Sequence, residues 1–258
     1  NRLPMLNIEH FEQISLDGTW RFQLLHKPTE KLGKRWASIP VPGLWTMQEP
    51  SDVFFDKPIY TNVQMPFEEQ PPFVPEENPT GVYERDFDLP KSWSGKRIVL
   101  QLGGYESVAL ICINGVEVGM TKDSRLAAEF DVTNFVKSGN NVVRIDVTKW
   151  SDATYIEDQD QWWHGGITRS VKLYATNKVF IEKFAVIAGL EKDLTTGTLN
   201  VRAQISSIEN ESTDGYSLHM SIRELAKQKN ASLSQTLKTF VPPIWTETPE
   251  EVAIAARD

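Results

Sequence analysis

Val108-Ala109-Leu110-Ile111-Cys112-Ile113-Asn114-Gly115-Val116-Glu117-Val118 is the stretch whose reading decides the fold. Six apolar residues, half of them β-branched, run into Asn-Gly and then into an alternating Val-Glu-Val. Asn-Gly tolerates the positive φ that a two-residue hairpin turn imposes at both central positions, so the stretch predicts a tight antiparallel hairpin. The first strand has no polar side chain, which predicts cover on both of its faces. Cys112 lies inside that run and reads as a buried small hydrophobe; as the only cysteine it has no internal disulfide partner.

Period-two alternation continues on either side of the hairpin. Tyr83, Arg85, Phe87 and Leu89 share one face, Val143, Ile145 and Val147 alternate with Arg144, Asp146 and Thr148, and Val171 and Leu173 follow. No amphipathic helix of convincing length occurs before residue 178, which predicts a sandwich of antiparallel strands rather than an α/β fold. Residues 64–81 carry repeated prolines that remove backbone donors and fix φ, so they predict a long extended loop. Loops of that length tend to be functional or to reach toward another domain. The loop lacks a Pro-x-x-Pro pair with flanking basic residues, which argues against a ligand for a proline-recognition domain.

After residue 177 the texture changes, and domains are expected at 1–177 and 178–258. Strands are predicted at 179–188 and 199–205, with Tyr216, Leu218, Met220 and Ile222 on one face of a third. An immunoglobulin-like sandwich needs about seven strands in roughly 100 residues, so the second domain is expected to be incomplete. Residues 224–240 are open between a polar hairpin and a short helix.

The chain has 258 residues, 40% of them hydrophobic, enough to bury sizeable cores in a soluble globular protein. Its net charge of −8 and scattered basic residues give no footprint for nucleic acid or an anionic membrane, so neither is expected as a partner. No run approaches the roughly 18 apolar residues of a membrane span. The chain starts at Asn1 and ends at Asp258 with neither an initiator Met nor a stop signal, and is expected to be a segment of a longer protein. A cytoplasmic compartment is expected; the hidden true terminus leaves a periplasmic or secreted one open. Two Asn-x-Ser triplets, at Asn210 and Asn230, read as chance occurrences.

Chemistry concentrates in Trp150-Ser151-Asp152-Ala153-Thr154-Tyr155-Ile156-Glu157-Asp158-Gln159-Asp160-Gln161-Trp162-Trp163, where four acids and three indoles share fourteen residues. Flat aromatic faces cover the C–H surfaces of a sugar, and carboxylates and amides grip neighbouring hydroxyls. The run therefore reads as the edge of a site for a polyhydroxylated ligand. Two carboxylates flanking a glycosidic bond lie about 5 to 9 Å apart, and neighbours on one short loop rarely face each other that way. A solvated acidic loop is the bland reading, but the flanking aromatics are costly to leave bare, so part of the run must pack. A carboxylate held there needs a hydroxyl donor, a cation or an Arg. His10, His26, His164 and His219 have no metal-ligand spacing, and His164 reads equally as a packing residue beside Gly165-Gly166 and as a sugar contact. No Gly-x-Ser-x-Gly, phosphate-cradling glycine loop or dinucleotide fingerprint is present.

Leu16-Asp17-Gly18-Thr19-Trp20-Arg21-Phe22, Pro58-Ile59-Tyr60-Thr61-Asn62-Val63, Asn78-Pro79-Thr80-Gly81-Val82-Tyr83, Asp123-Ser124-Arg125 and the Trp150–Trp162 run occur in that order. In these motifs the chain resembles the amino-terminal part of a bacterial β-galactosidase of glycoside hydrolase family 2. The Leu-Asp-Gly-x-Trp motif is shared with β-glucuronidases and β-mannosidases; Pro-Ile-Tyr-Thr-Asn-Val with Glu-Asp-Gln-Asp is more specific to β-galactosidases. The resemblance implies an all-β fold: a jelly-roll, galactose-binding-domain-like β-sandwich over about residues 1–176 and, more weakly, an immunoglobulin-like β-sandwich from 179. It implies that Asn62 contacts substrate, that Val63 neighbours the pocket, and that Asp160 meets both the galactosyl unit and a sodium ion. It assigns no catalytic residue here, since the family's paired glutamates, and a magnesium ion, belong to a (β/α) barrel further along the parent. A peripheral magnesium site of some relatives would include Asp152, but Lys122 replaces a glutamine ligand there, so that site is expected to be lost.

Three readings compete. The first is a part of a retaining enzyme that hydrolyses terminal non-reducing β-D-galactosyl residues of lactose-type substrates, inactive alone and homo-oligomeric in the parent. The second is a free-standing carbohydrate-binding module, which would hold galactose unaided. The third is a structural sandwich pair mediating subunit contacts, indifferent to sugar.

Overall fold

In the computed structural model, which describes residues 10–62, 64–208, 212–223, 234–235 and 252–255, Asn114 and Gly115 take φ of 52° and 80° and close the hairpin between strands Val108–Ile113 and Val116–Thr121. Both positive angles belong to the turn that Asn-Gly favours. The first strand is less deeply covered than its composition predicts. Ala109, Ile111 and Ile113 are fully buried, whereas Val108, Leu110 and Cys112 are half-buried. Only one face of this sheet meets the core, so Cys112 is a half-buried outward residue, paired across the ladder with Arg144. Partial burial still pushes its thiol pKa up, with the nearby Asp146 carboxylate adding to the shift.

The chain divides into two compact units, residues 1–177 and 178–258. The first is an all-β sandwich. Its larger sheet runs Ala37–Val41, Gly18–Leu25, Thr80–Leu89, Gly139–Thr148, Val108–Ile113, Val116–Thr121, every neighbouring pair antiparallel. The smaller runs Gln13–Ser15, Val171–Thr176, Arg97–Leu102, Ala128–Asp131, again antiparallel throughout. Trp20, Phe22, Tyr83, Ile111 and Ile145 from the larger sheet form one buried cluster with Ile98, Leu100, Phe130, Val171 and Leu173 from the smaller. The alternation is literal in strand Gly139–Thr148. Val143, Ile145 and Val147 are buried, while Arg144, Asp146 and Thr148 are only half so. No α-helix occurs among the described residues; three single 3-10 turns, at Trp45–Met47, Lys91–Trp93 and Asp152–Tyr155, are the helical elements.

Two ladders of two residues each sit outside both sheets: Gly43–Leu44 with Gly166–Ile167, and Ile59–Tyr60 with Trp162–Trp163. Between residue 61 and Thr80 the described chain has no strand, in keeping with its prolines.

The second unit pairs Val179–Leu190 with Gly197–Ser207 and that strand with Val252–Ala255; a separate ladder joins Ile222–Arg223 to Ser234–Gln235. The strand predicted through Tyr216, Leu218, Met220 and Ile222 is mostly absent. Gly215 at φ 80° and a backbone bond from Tyr216 to Thr213 turn the chain there, Tyr216 is exposed, and regular pairing starts only at Ile222. Of residues 224–240, only Ser234–Gln235 lie within the described residues, as strand.

Candidate functional site

The acidic and aromatic run leaves strand Gly139–Thr148 and turns at Ser151–Thr154, where a reciprocal pair of side-chain to backbone bonds starts a 3-10 turn. Trp150 and Trp163 are buried and meet edge to face with ring centroids 5.6 Å apart. Phe67, from the proline-rich loop, packs edge to face on Trp150 and on Tyr155. The Tyr155 hydroxyl lies 2.8 and 2.7 Å from the carbonyls of Glu69 and Phe73, so the loop and the run are tied together.

Three of the four acids of the run have side-chain partners of their own. Glu157 accepts from both the backbone N–H and the hydroxyl of Ser124. Asp160 accepts from the Tyr60 hydroxyl at 2.8 Å. Asp152 accepts from the Lys122 ammonium at 2.7 and 2.8 Å, and that ammonium holds its carboxyl below the usual range. The positive charge a cation would bring to Asp152 is thus already supplied by a side chain.

The ladder pairs Trp162 with Tyr60 and Trp163 with Ile59. Asn62 lies two residues beyond this ladder on one side and Asp160 two residues before it on the other, both where the chain bends. Both are exposed. What the structure brings together is the two motifs: Tyr60, two residues before Asn62, and Asp160 meet across one hundred positions through the phenol–carboxylate bond. Val63 lies outside the described residues. Trp163 steadies this corner by donating from its indole N–H to the Thr61 hydroxyl at 2.8 Å. Tyr60 and Trp162 stand half exposed with ring centroids 5.5 Å apart, forming an open aromatic surface beside Asp160.

Sequence reasoning missed three participants. Tyr60 lies inside a quoted motif, but its hydroxyl contact with Asp160 depends on tertiary pairing. Lys149, 1% exposed, sends its ammonium to both oxygens of Asp56 at 2.8 Å; nothing in the sequence marks either residue. His164 is half-buried beside Thr46. Its Nδ1 is 2.9 Å from the Thr46 hydroxyl, and burial, followed by the Lys149 charge, lowers its pKa.

Asp160 and Asn62 offer hard oxygens suited to a hard cation. Among the described residues no group of three or more His, Cys, Asp or Glu side chains gathers as a metal site. No helix among them is long and apolar enough to cross a membrane.

The model of the sugar-binding domain of glycosyl hydrolases family 2 matches residues 13–177. A beta-galactosidase of Psychromonas ingrahamii is 40% identical over 205 residues, covering 76% of this chain and 19% of the relative. A beta-galactosidase of Yersinia pestis is 36% identical over 243 residues, covering 88% of this chain and 22% of the relative. The chain thus spans about a fifth of the length of the curated relatives it matches. Among solved structures, a calcium-binding mutant of Bacteroides uniformis beta-glucuronidase 2 aligns with a TM-score of 0.63 at 20% identity, covering 95% of this chain and 27% of that one. A beta-glucuronidase of an uncultured Clostridium aligns with a TM-score of 0.59 at 21% identity, covering 81% and 36%. At that identity the structural likeness speaks to the fold alone.

Proposed function

The chain belongs to glycosyl hydrolase family 2, and from that premise we propose that it is the non-catalytic sugar-site portion of a β-galactosidase. In this reading residues 1–177 are the jelly-roll domain and 178–258 an immunoglobulin-like domain. The first lends Asn62, Asp160 and the neighbouring Val63 to an active site completed by a barrel elsewhere in the parent. The observation that supports it most directly is the Tyr60 hydroxyl, from the motif that carries Asn62, donating to Asp160 at 2.8 Å. The names of the relatives at 36 to 42% identity support galactose over glucuronate as the sugar.

The residues present suit that role. An amide both donates and accepts to adjacent hydroxyls, and a carboxylate accepts from a hydroxyl or binds a cation. Tyr60, by donating to one oxygen of Asp160, sets the plane of the carboxylate. A sodium ion at Asp160 would add a fixed positive charge beside the sugar. The paired carboxyl groups of a retaining hydrolysis, and the magnesium ion, belong in this reading to the barrel. Homo-oligomerisation of the parent and a cytoplasmic compartment complete the proposal.

The experiment is Asp160→Asn in the full-length parent, with Asp158→Asn as the internal control. Asparagine keeps the size and can still accept from Tyr60, so the change removes charge rather than shape. Loss of a charge-assisted hydrogen bond costs about 1.5 to 3 kcal/mol, so kcat/KM should fall roughly ten- to a hundredfold. Sodium activation should weaken with it, and the control should be much milder. Equal effects at both positions, or sodium dependence unchanged in the Asp160 variant, would mean that the wrong acid has been chosen.

A further inference from the structure

Lys149 is among the most deeply buried large side chains of the chain, and the sugar-site reading gives it no task. Its three ammonium protons meet three acceptors: both Asp56 oxygens at 2.8 Å and the Lys57 carbonyl at 3.3 Å. Asp56 in turn accepts from the indole N–H of Trp45 at 2.8 Å, and Trp45 is fully buried. The ammonium also lies 5.0 Å from the centroid of the Trp150 ring. Burial pushes the Lys149 pKa below its usual value, and Asp56 pulls it back. A buried ion pair is a poor source of stability, since apolar packing of equal volume does as well or better. Its use here calls for a role in geometry.

That role follows from its place in the chain. Asp56 and Lys57 lie immediately before Pro58 and the Ile59–Tyr60 strand, whose ladder with Trp162–Trp163 is only two residues long. So short a ladder does not hold its own position. On the other side, Trp150 follows Lys149 directly and packs on Trp163. The dipeptide Lys149-Trp150 thus grips both strands of the ladder, one through Asp56 and one through the Trp163 indole. We propose that the Asp56–Lys149 ion pair is a positioning device that fixes the strand leading to Asn62 against the strand that follows Asp160. The proposal rests on the reading of those two residues as the galactoside site.

The test uses the full-length parent and two variants, with kcat, KM for a chromogenic β-galactoside, the half-activating sodium concentration and Tm as readouts. The double variant Asp56→Asn/Lys149→Met removes both charges while leaving an acceptor for the Trp45 indole. Asp56→Glu keeps the charge pair but lengthens one arm by a methylene, and serves if the double variant does not fold. In either folded variant KM and half-activating sodium should rise about tenfold, with kcat changed less than about threefold, because a small misplacement weakens binding before it touches chemistry. Wild-type KM and sodium dependence in a folded variant would overturn the proposal. Asp160→Asn, run alongside, separates the two ideas: if it too is without effect, the site reading has failed first. Exchange of the Trp163 indole N–H then judges the brace alone. Faster exchange in the variants supports it, and unchanged exchange overturns it.

Discussion

The imidazole of His164 sits in a part-buried pocket against Thr46, with its pKa lowered first by burial and then by the Lys149 charge. The unfolded chain takes up this proton near pH 6.5, the folded chain only at lower pH. Between those points the unfolded state binds more protons, so stability rises with pH across the window and is lost as pH falls below 6.5. His164→Gln removes that dependence. Urea unfolding at pH 7.5 and 5.0 should show the wild-type chain losing more stability on acidification than the variant, and equal losses would show that the imidazole is protonated freely in the folded state. The sequence left this histidine open between packing and sugar contact, because its partner Thr46 is more than a hundred positions away. Asn62 and Asp160 were legible as motif residues, whereas the phenol of Tyr60 on Asp160 was not. A hydrogen bond between side chains 100 positions apart leaves no local pattern to read.

Two glycines show which elements the sequence disclosed. Gly115 has a φ of 80° with nothing within 4 Å of a built Cβ, so its need is conformational and is announced by Asn-Gly. Gly165 is silent in sequence, yet a Cβ there would stand 2.1 Å from the Trp45 ring, the same indole that donates to Asp56. Gly115→Ala should cost about 1 to 2 kcal/mol, the strain of one left-handed residue. Gly165→Ala must displace a fully buried indole and should cost more, about 3 kcal/mol, because overpacking is relieved only by moving neighbours. Thermal denaturation ranks the two; a smaller loss at Gly165 would show that Trp45 can shift without cost. The long alternating strands were readable for the reason the hairpin was, since a half-buried face imposes period two. The two-residue ladders were not, because two residues carry no period. The third strand predicted in the second unit formed only in part: alternation was present at Tyr216, Leu218 and Met220, but a turn at Gly215 opens that stretch, which carries a single bridge at Leu218 before strand pairing starts at Ile222.

The acids of the first unit decide what this chain can do alone. Glycoside hydrolysis requires two carboxyl groups about 5 to 9 Å apart across the scissile bond, one of them ready to give a proton. Glu106 has a raised pKa, chiefly from burial, which would suit a proton donor, but it is 7% exposed in its side chain and paired with Arg125 at 3.0 Å, out of reach of a sugar. Glu157 is occupied by both donors of Ser124, and Asp160 by Tyr60. Glu106 and Glu157 are thus engaged within the chain, and Asp160 keeps one oxygen free of the Tyr60 bond beside the aromatic pair of Tyr60 and Trp162. The sequence points the same way, since neighbouring acids on one short loop rarely face each other across a sugar. We therefore expect the 258-residue chain to hydrolyse no chromogenic β-galactoside in an assay controlled for contaminating enzyme. Turnover that disappears in Glu157→Gln or Asp160→Asn would place the chemistry inside this chain and overturn its assignment as one wall of a larger site.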